Sequence, residues 1–291
     1  DTVKNGCEDK NFKDIPDSHI LRNISACAGL GIHKEAIGKL RDKTPEELKE
    51  AAKKCLIAYQ LTVDFLTSEL PLPSIDYLPY SLQLTYLVEF FNLVNEPTIE
   101  QRKELKRWFW ETSINKYFGS ANTGLISRTL VQIRSFSNGQ IESLSTGKVL
   151  NVEGFLKDTF TLNKASSKTL AILLANEKPL SLLTGQVVDT YRALSVINRL
   201  EYHHIFPKAY LEREGFDKTE RNYHANMCML NLSNNREISD KNPSEYFKII
   251  EDNLGDELMN VMSSNFINED ALLCAMTDDY GGFYNNRIIM M

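Results

Sequence analysis

Val196-Ile197-Asn198-Arg199-Leu200-Glu201-Tyr202-His203-His204-Ile205 reads as a strand that runs into Phe206-Pro207, where proline would end the pairing. Met227 to Leu230 predicts a second short strand. Ser233-Asn234-Asn235-Arg236 then has the composition of a helix start. A later helix opens at Asn242-Pro243-Ser244-Glu245, with Asn242 as its cap and Pro243 at its first position. Two strands and a helix are thus drawn within one short window, and three of the five histidines, His203, His204 and His224, fall in it.

Upstream of this window the chain reads as helical. Thr44-Pro45-Glu46-Glu47 combines an N-cap, a proline at the first helical position and a carboxylate at the third. Leu48, Ala51, Ala52, Cys55, Leu56, Tyr59 and Leu66 continue an apolar stripe at helical spacing until Pro71 and Pro73 stop it. A second helix is expected from Pro79 through Leu93. A third starts at Thr98, with Gln101 completing another capping box, and is expected to run through Trp108-Phe109-Trp110 and Tyr117 to Gly119. Further helices are expected at about 121–136, 152–160 and 165–176, with the Ser/Gly stretch Ser135 to Gly147 between. The aromatic run invites a base-stacking reading, but neighbouring aromatics on a helix more often pack into a core.

Hydrolysing a phosphodiester near neutral pH needs a base that takes a proton from water and a cation that offsets charge on the phosphate and leaving oxygen. Histidine suits the first task, since its unperturbed pKa is about 6.5. A hard divalent ion held by few protein ligands suits the second, because positions must stay open for water and phosphate. His203, His204 and Asn235 offer both functions. Adjacent residues on a regular strand point to opposite faces, so the two histidines share a site only where the strand is bulged or ending. His224 lies outside this set and reads as a loop residue.

Tyr202-His203-His204-Ile205-Phe206-Pro207, Asn226, and Asn235-Arg236 leading to Lys241-Asn242-Pro243-Ser244-Glu245 resemble the ββα-metal finger of HNH nucleases, including the HNH domain of the RNA-guided CRISPR nuclease. More broadly, the arrangement resembles the C-terminal half of GmrSD-type, modification-dependent bacterial restriction proteins, in which a helical region with a Trp-Phe-Trp-like run precedes the finger. That resemblance implies a DNA endonuclease with His204 as general base, His203 and Asn235 as ligands of one divalent ion, and Asn226 bracing the loop between the strands. It also implies products with 5′-phosphate and 3′-hydroxyl ends; Arg236 and Lys208 are candidate phosphate contacts by charge, with plain solvation as the alternative. Many relatives have aspartate where this chain has His203. A softer nitrogen ligand lets Mn2+, Ni2+ or Zn2+ compete with the expected Mg2+.

The resulting expectation is an α+β, predominantly helical chain: an all-α domain over 1–195, then a ββα-metal HNH domain with flanking helices over 196–291. Its 291 residues and 42% hydrophobic content suffice for two cores. The formal charge of −6 divides unevenly, with 14 Lys and Arg against 7 Asp and Glu over residues 102–199 and excess acid on both flanks. A basic middle surface is compatible with DNA as partner. Five scattered cysteines without a CxxC pair read as reduced packing residues. No apolar run is long enough to span a bilayer and no leader opens the chain, so a cytoplasmic protein with no membrane partner is expected. Asp1 in place of a methionine points to a fragment of a longer protein; the resemblance implies that the upstream part is a sensor or nucleotide-hydrolysing domain and that the protein acts in antiviral restriction, and a homo-oligomer is left open. Two other classes stay in view: a catalytically silent helical module for DNA binding or assembly, and a phosphoesterase acting on RNA.

Overall fold

The computed structural model describes residues 12, 15–161, 163–190, 194, 202–230 and 241–291. It is predominantly helical with a small two-stranded sheet, as expected for the α+β class. The chain divides into two compact units, Asp1–Leu150 and Asn151–Met291.

The first unit contains α1 (Asp17–Cys27), α2 (Lys34–Gly38), α3 (Pro45–Glu69), α4 (Ser81–Leu93), α5 (Ile99–Ile114) and α6 (Thr123–Ser137). Helix α3 starts where the sequence says it should. Glu47 N–H donates to Thr44 Oγ1 at 3.2 Å, and Thr44 N–H donates to Glu47 Oε2 at 2.8 Å. The same reciprocal pair, Thr98 with Gln101, opens α5. Helix α5 ends at Ile114, short of the expected Gly119. Lys116 adopts φ 52°, and Tyr117 N–H donates back to the Thr112 carbonyl, a left-handed C-terminal cap made without glycine. Trp108 and Phe109 are buried, and the Trp108 ring meets Tyr86 and Phe118 edge-on, so the aromatic run packs the core. Buried Gln83 on α4 donates to the Phe109 carbonyl and to the Thr112 and Ser113 hydroxyls, fixing α4 against α5.

The second unit contains α7 (Val152–Leu156), α8 (Ala165–Asn176), β1 (Tyr202–His204), α9 (Lys208–Arg213), β2 (Met227–Met229), α10 (Pro243–Leu254), α11 (Leu258–Ser263), α12 (Glu269–Met276) and α13 (Tyr280–Met290). Strands β1 and β2 are antiparallel, pairing Tyr202 with Met229, His203 with Cys228 and His204 with Met227. Ile205, Phe206, Leu211, Leu230, Phe247, Ile250 and Phe283 form the core under them.

The boundary between the units falls at 150/151, whereas the change of sequence period placed it at 195/196. The reason is long-range pairing: Phe160 N–H donates to the Asn222 carbonyl at 2.8 Å, and His224 N–H donates to the Asp158 carbonyl at 2.9 Å. Residues 158–160 thereby extend the unit that holds the strands, a contact no local periodicity can announce. Helix α8 matches the expected 165–176, but the segment expected to be helical over 152–160 stops at Leu156 and turns into this pairing. Helix α10 has Pro243 at its first position, yet its cap comes from elsewhere. Asp278 accepts from Ser244 N–H and Ser244 Oγ, both at 2.8 Å, while Asn242 Oδ1 accepts from Arg213. A carboxylate at the α10 N-terminus also favours the helix dipole.

Candidate functional site

The site is built where β1 ends. The ladder is in register through three pairs, and His204 is its last paired residue. Beyond it, Ile205 N–H donates to the Asn226 carbonyl at 2.8 Å. The Asn226 side chain then takes over: Phe206 N–H donates to Asn226 Oδ1 at 2.8 Å, and Asn226 Nδ2 donates to the Phe206 and Arg221 carbonyls at 3.1 Å each. A side-chain amide thus imitates a backbone partner for one residue after the strands part, and Pro207 starts α9 immediately afterwards. Asn226 is completely buried, so its three hydrogen bonds offset the desolvation of its amide.

His203 and His204 differ in surroundings. His203 is buried, at 6% exposure, whereas His204 is only partly covered. The His204 ring lies 3.2 Å from Asn222 Oδ1 through Nε2. Asn222 Nδ2 donates to the Lys218 carbonyl at 2.6 Å, which fixes the orientation of the amide. Asn222 Oδ1 can only accept, so Nε2 carries the proton and Nδ1 is the basic nitrogen. Burial lowers the His204 pKa to about 4, helped by the Lys208 ammonium and, more weakly, by His203; the Asn222 hydrogen bond opposes the shift. The ring is neutral at pH 7.

Lys208, at the first position of α9, is exposed. Its pKa is lowered by partial desolvation, then by the Arg221 and Lys218 cations. Arg221 is itself held by Glu212, 2.9 Å away. The histidine therefore lies in the field of the Lys208 ammonium, which favours an incoming anion.

Of the residues expected from sequence, the structure brings His203, His204, Asn226 and Lys208 to one end of β1. Asn235 and Arg236 lie outside the described residues. His224, read from sequence as a loop residue, is fully buried. Its ring meets Phe155 and Phe160 edge-on, and Nε2 lies 3.3 Å from Ser167 Oγ. It packs α7 and α8 against the turn before β2.

Two contributors escaped the sequence reading. Asn222, in the turn Glu220–Asn222, sets the His204 tautomer. Arg287, on α13, is completely buried and donates to the Ala225 carbonyl at 2.7 Å and twice to the Asn265 carbonyl, at 3.0 and 3.1 Å. Burial lowers its pKa to about 10, still charged at neutral pH. It holds the turn that delivers Asn226. Nothing local marks either residue; Arg287 follows Asn285-Asn286 and reads as part of a polar helix face.

No helix of the described residues is long and apolar enough to cross a membrane. Cys27, Cys55, Cys228 and Cys274 are free thiols, and burial raises that of Cys228 to about 12, leaving it protonated and inert.

No protein-family model matches the chain. It is 21% identical over 217 residues to the uncharacterized protein MJ0686 of Methanocaldococcus jannaschii, an alignment covering 69% of this chain and 36% of that protein. The chain thus spans about a third of the length of the curated relative it matches.

Proposed function

We propose that the second unit carries a metal-dependent DNA endonuclease site of HNH type, with His204 as the general base. The observation that carries the reading is the fixed chain from the Lys218 carbonyl through Asn222 to His204 Nε2. It presents a neutral imidazole with Nδ1 as acceptor, next to the Lys208 cation. A water between Nδ1 and a bound phosphate would lose its proton to His204 as it attacks phosphorus. Asn222 stabilises the imidazolium that results, because its oxygen accepts from the cationic ring. The field of Lys208 that depresses the His204 pKa is offset by phosphate negative charge, so substrate binding strengthens the base.

Among the described residues no group of three or more His, Cys, Asp or Glu is placed to hold a metal ion. The expected donor set is of another kind, an imidazole and an amide, from His203 and Asn235. Such a pair fits a divalent ion of borderline hardness and leaves most of its coordination sphere to water and phosphate. When bound, that ion supplies the positive charge that offsets the scissile phosphate and the leaving oxygen. Arg236 and Lys208 are the proposed phosphate contacts. The resemblance to modification-dependent restriction proteins supports a role in bacterial antiviral defence, in the cytoplasm, with target choice made by an upstream domain.

The test is supercoiled-plasmid cleavage with Mg2+, Mn2+, Ni2+ or EDTA, with His204→Ala run alongside. Metal-dependent nicking or linearisation lost in His204→Ala supports the reading. Cleavage that survives His204→Ala would sink it. Folded protein that leaves DNA uncut but cuts RNA would shift the assignment to an RNA phosphoesterase.

A further inference from the structure

The first unit has a cleft of its own. Its volume is about 650 Å³, and Tyr117, Arg128, Gln132, Ser145, Thr146 and Gly147 are among the residues that line it. One wall is α6. The other is the loop after α6, which the sequence presents as a plain Ser/Gly connection and the structure shows to be fastened. Glu104 accepts from Leu144 N–H, Arg107 donates to the Leu144 carbonyl, the Thr146 hydroxyl donates to Glu111, and Gln132 Nε2 donates to the Ser145 carbonyl at 3.3 Å. Leu144 is buried beneath this set. The cleft is thus a formed feature of the unit.

Most arginines of this basic stretch are paired, while Lys103 is exposed to solvent on α5, away from the cleft. Arg102 and Lys106 pair with Glu69, Arg107 with Glu104 and Glu111, and Arg134 with Glu89. Those charges are already answered. Arg128 and Lys148 have no carboxylate partner among the described residues, and both stand at the cleft: Arg128 lines it, and Lys148 Nζ lies 5.8 Å from the centre of the Tyr117 ring. Glu111, which accepts from the cleft residue Thr146, is also occupied by Arg107.

An aromatic face, two cations without a carboxylate partner, and an amide with hydroxyls within one cleft match the chemistry of a nucleotide. We propose that this cleft binds a nucleotide unit, its base on the Tyr117 ring and its phosphate between Arg128 and Lys148. The base takes the ring face that the Lys148 ammonium now covers, and the flexible lysine stem carries that ammonium to the phosphate. Gln132 keeps its amide oxygen for the base edge, since its Nε2 and the Thr146 hydroxyl are engaged in fastening the loop. The unit can come from a nucleic-acid strand or from a free mononucleotide. This inference does not depend on the nuclease reading.

The experiment is fluorescence anisotropy of labelled oligo(dT) with the full chain in EDTA, with AMP as unlabelled competitor. Arg128→Ala/Lys148→Ala should weaken binding at least about tenfold, as loss of two phosphate contacts implies. Tyr117→Leu should weaken it about fivefold or more, and Tyr117→Phe should retain it. Arg102→Ala/Lys106→Ala removes as much charge elsewhere and should stay within about twofold of the unaltered protein. Competition by AMP at similar concentration assigns a free nucleotide; oligo(dT) binding that AMP does not displace assigns a strand. Absence of oligo(dT) binding together with absence of AMP binding by isothermal titration calorimetry overturns the proposal, as does equal weakening by the Arg102/Lys106 control.

Discussion

The loop strapped over α5 and the turn held behind β2 do the same mechanical task, fixing an irregular segment against helices, with opposite physical means. In the first unit the fasteners are ionised side chains near water: Glu104 and Glu111 are 13% and 12% exposed and Arg107 is 47% exposed. In the second, the fasteners are Asn226 and Arg287, both completely buried and both bonded to backbone carbonyls. Water and salt can replace much of the first kind of contact when it breaks. They cannot reach the second, so losing a partner there leaves carbonyls stranded in a medium of low dielectric. The lesson is that the number of polar contacts says little about how firmly a segment is held; what remains available when one is removed decides it.

Substitutions can break that comparison, and the largest effect belongs to Arg287. Arg287→Leu should destabilise the second unit by about 3–5 kcal/mol, since it strands the Ala225 and Asn265 carbonyls and adds no new partner. Urea unfolding measures this, and a loss of under about 1 kcal/mol would place the turn's stability elsewhere. Asn226→Ala should follow at about 2–3 kcal/mol, because three hydrogen bonds to a buried amide disappear. It should also abolish cleavage while the helices persist, seen as a retained far-ultraviolet circular dichroism signal.

Acid provides a third, smaller probe. The folded His204 pKa of about 4 lies below its unfolded value of 6.5. Above pH 6.5 both states are neutral and the difference contributes nothing. As pH falls below 6.5 the unfolded chain takes the proton first, so stability declines until about pH 4 and then levels off. Partial exposure of the ring moderates the effect to about 1–2 kcal/mol between pH 7 and pH 5. His204→Ala should flatten that portion of the denaturation profile; an unchanged slope would show that other groups produce it. The smallest effect is expected at the strap. Glu104→Gln should lower stability by about 0.5–1 kcal/mol, and the loss should shrink in high salt, unlike that of Arg287→Leu.

The parts of this architecture legible from sequence are those that local chemistry dictates. Thr44 and Thr98 announce their helices because a capping box closes within four residues. Helix α8 and the pairing segments at Tyr202 and Met227 follow from composition over short windows. Lys116 in a left-handed cap is the counterexample: a glycine signal pointed to residue 119, but the Tyr117 N–H to Thr112 bond closes earlier and carries a lysine through positive φ. The remaining misses are long-range. Asp278 caps a helix 34 positions away, Arg287 grips a carbonyl 62 positions away, and Asn222 meets a histidine 18 positions away. Of the candidate site, the histidine pair and Asn226 were visible as a motif; the groups that orient them were not, because any asparagine or arginine in those windows reads as solvated surface.

Arg287 also imposes an order of events on biosynthesis. His204 leaves the ribosome early, but the turn beside it gains its buried guanidinium only after roughly 80 more residues have been added, several seconds at about 5–20 residues per second. Until then the histidine sits on a strand pair whose return segment is unsecured. Any hydrolytic capacity of the second unit is therefore withheld from the nascent chain and arrives late, when helix α13 closes over what was made before it.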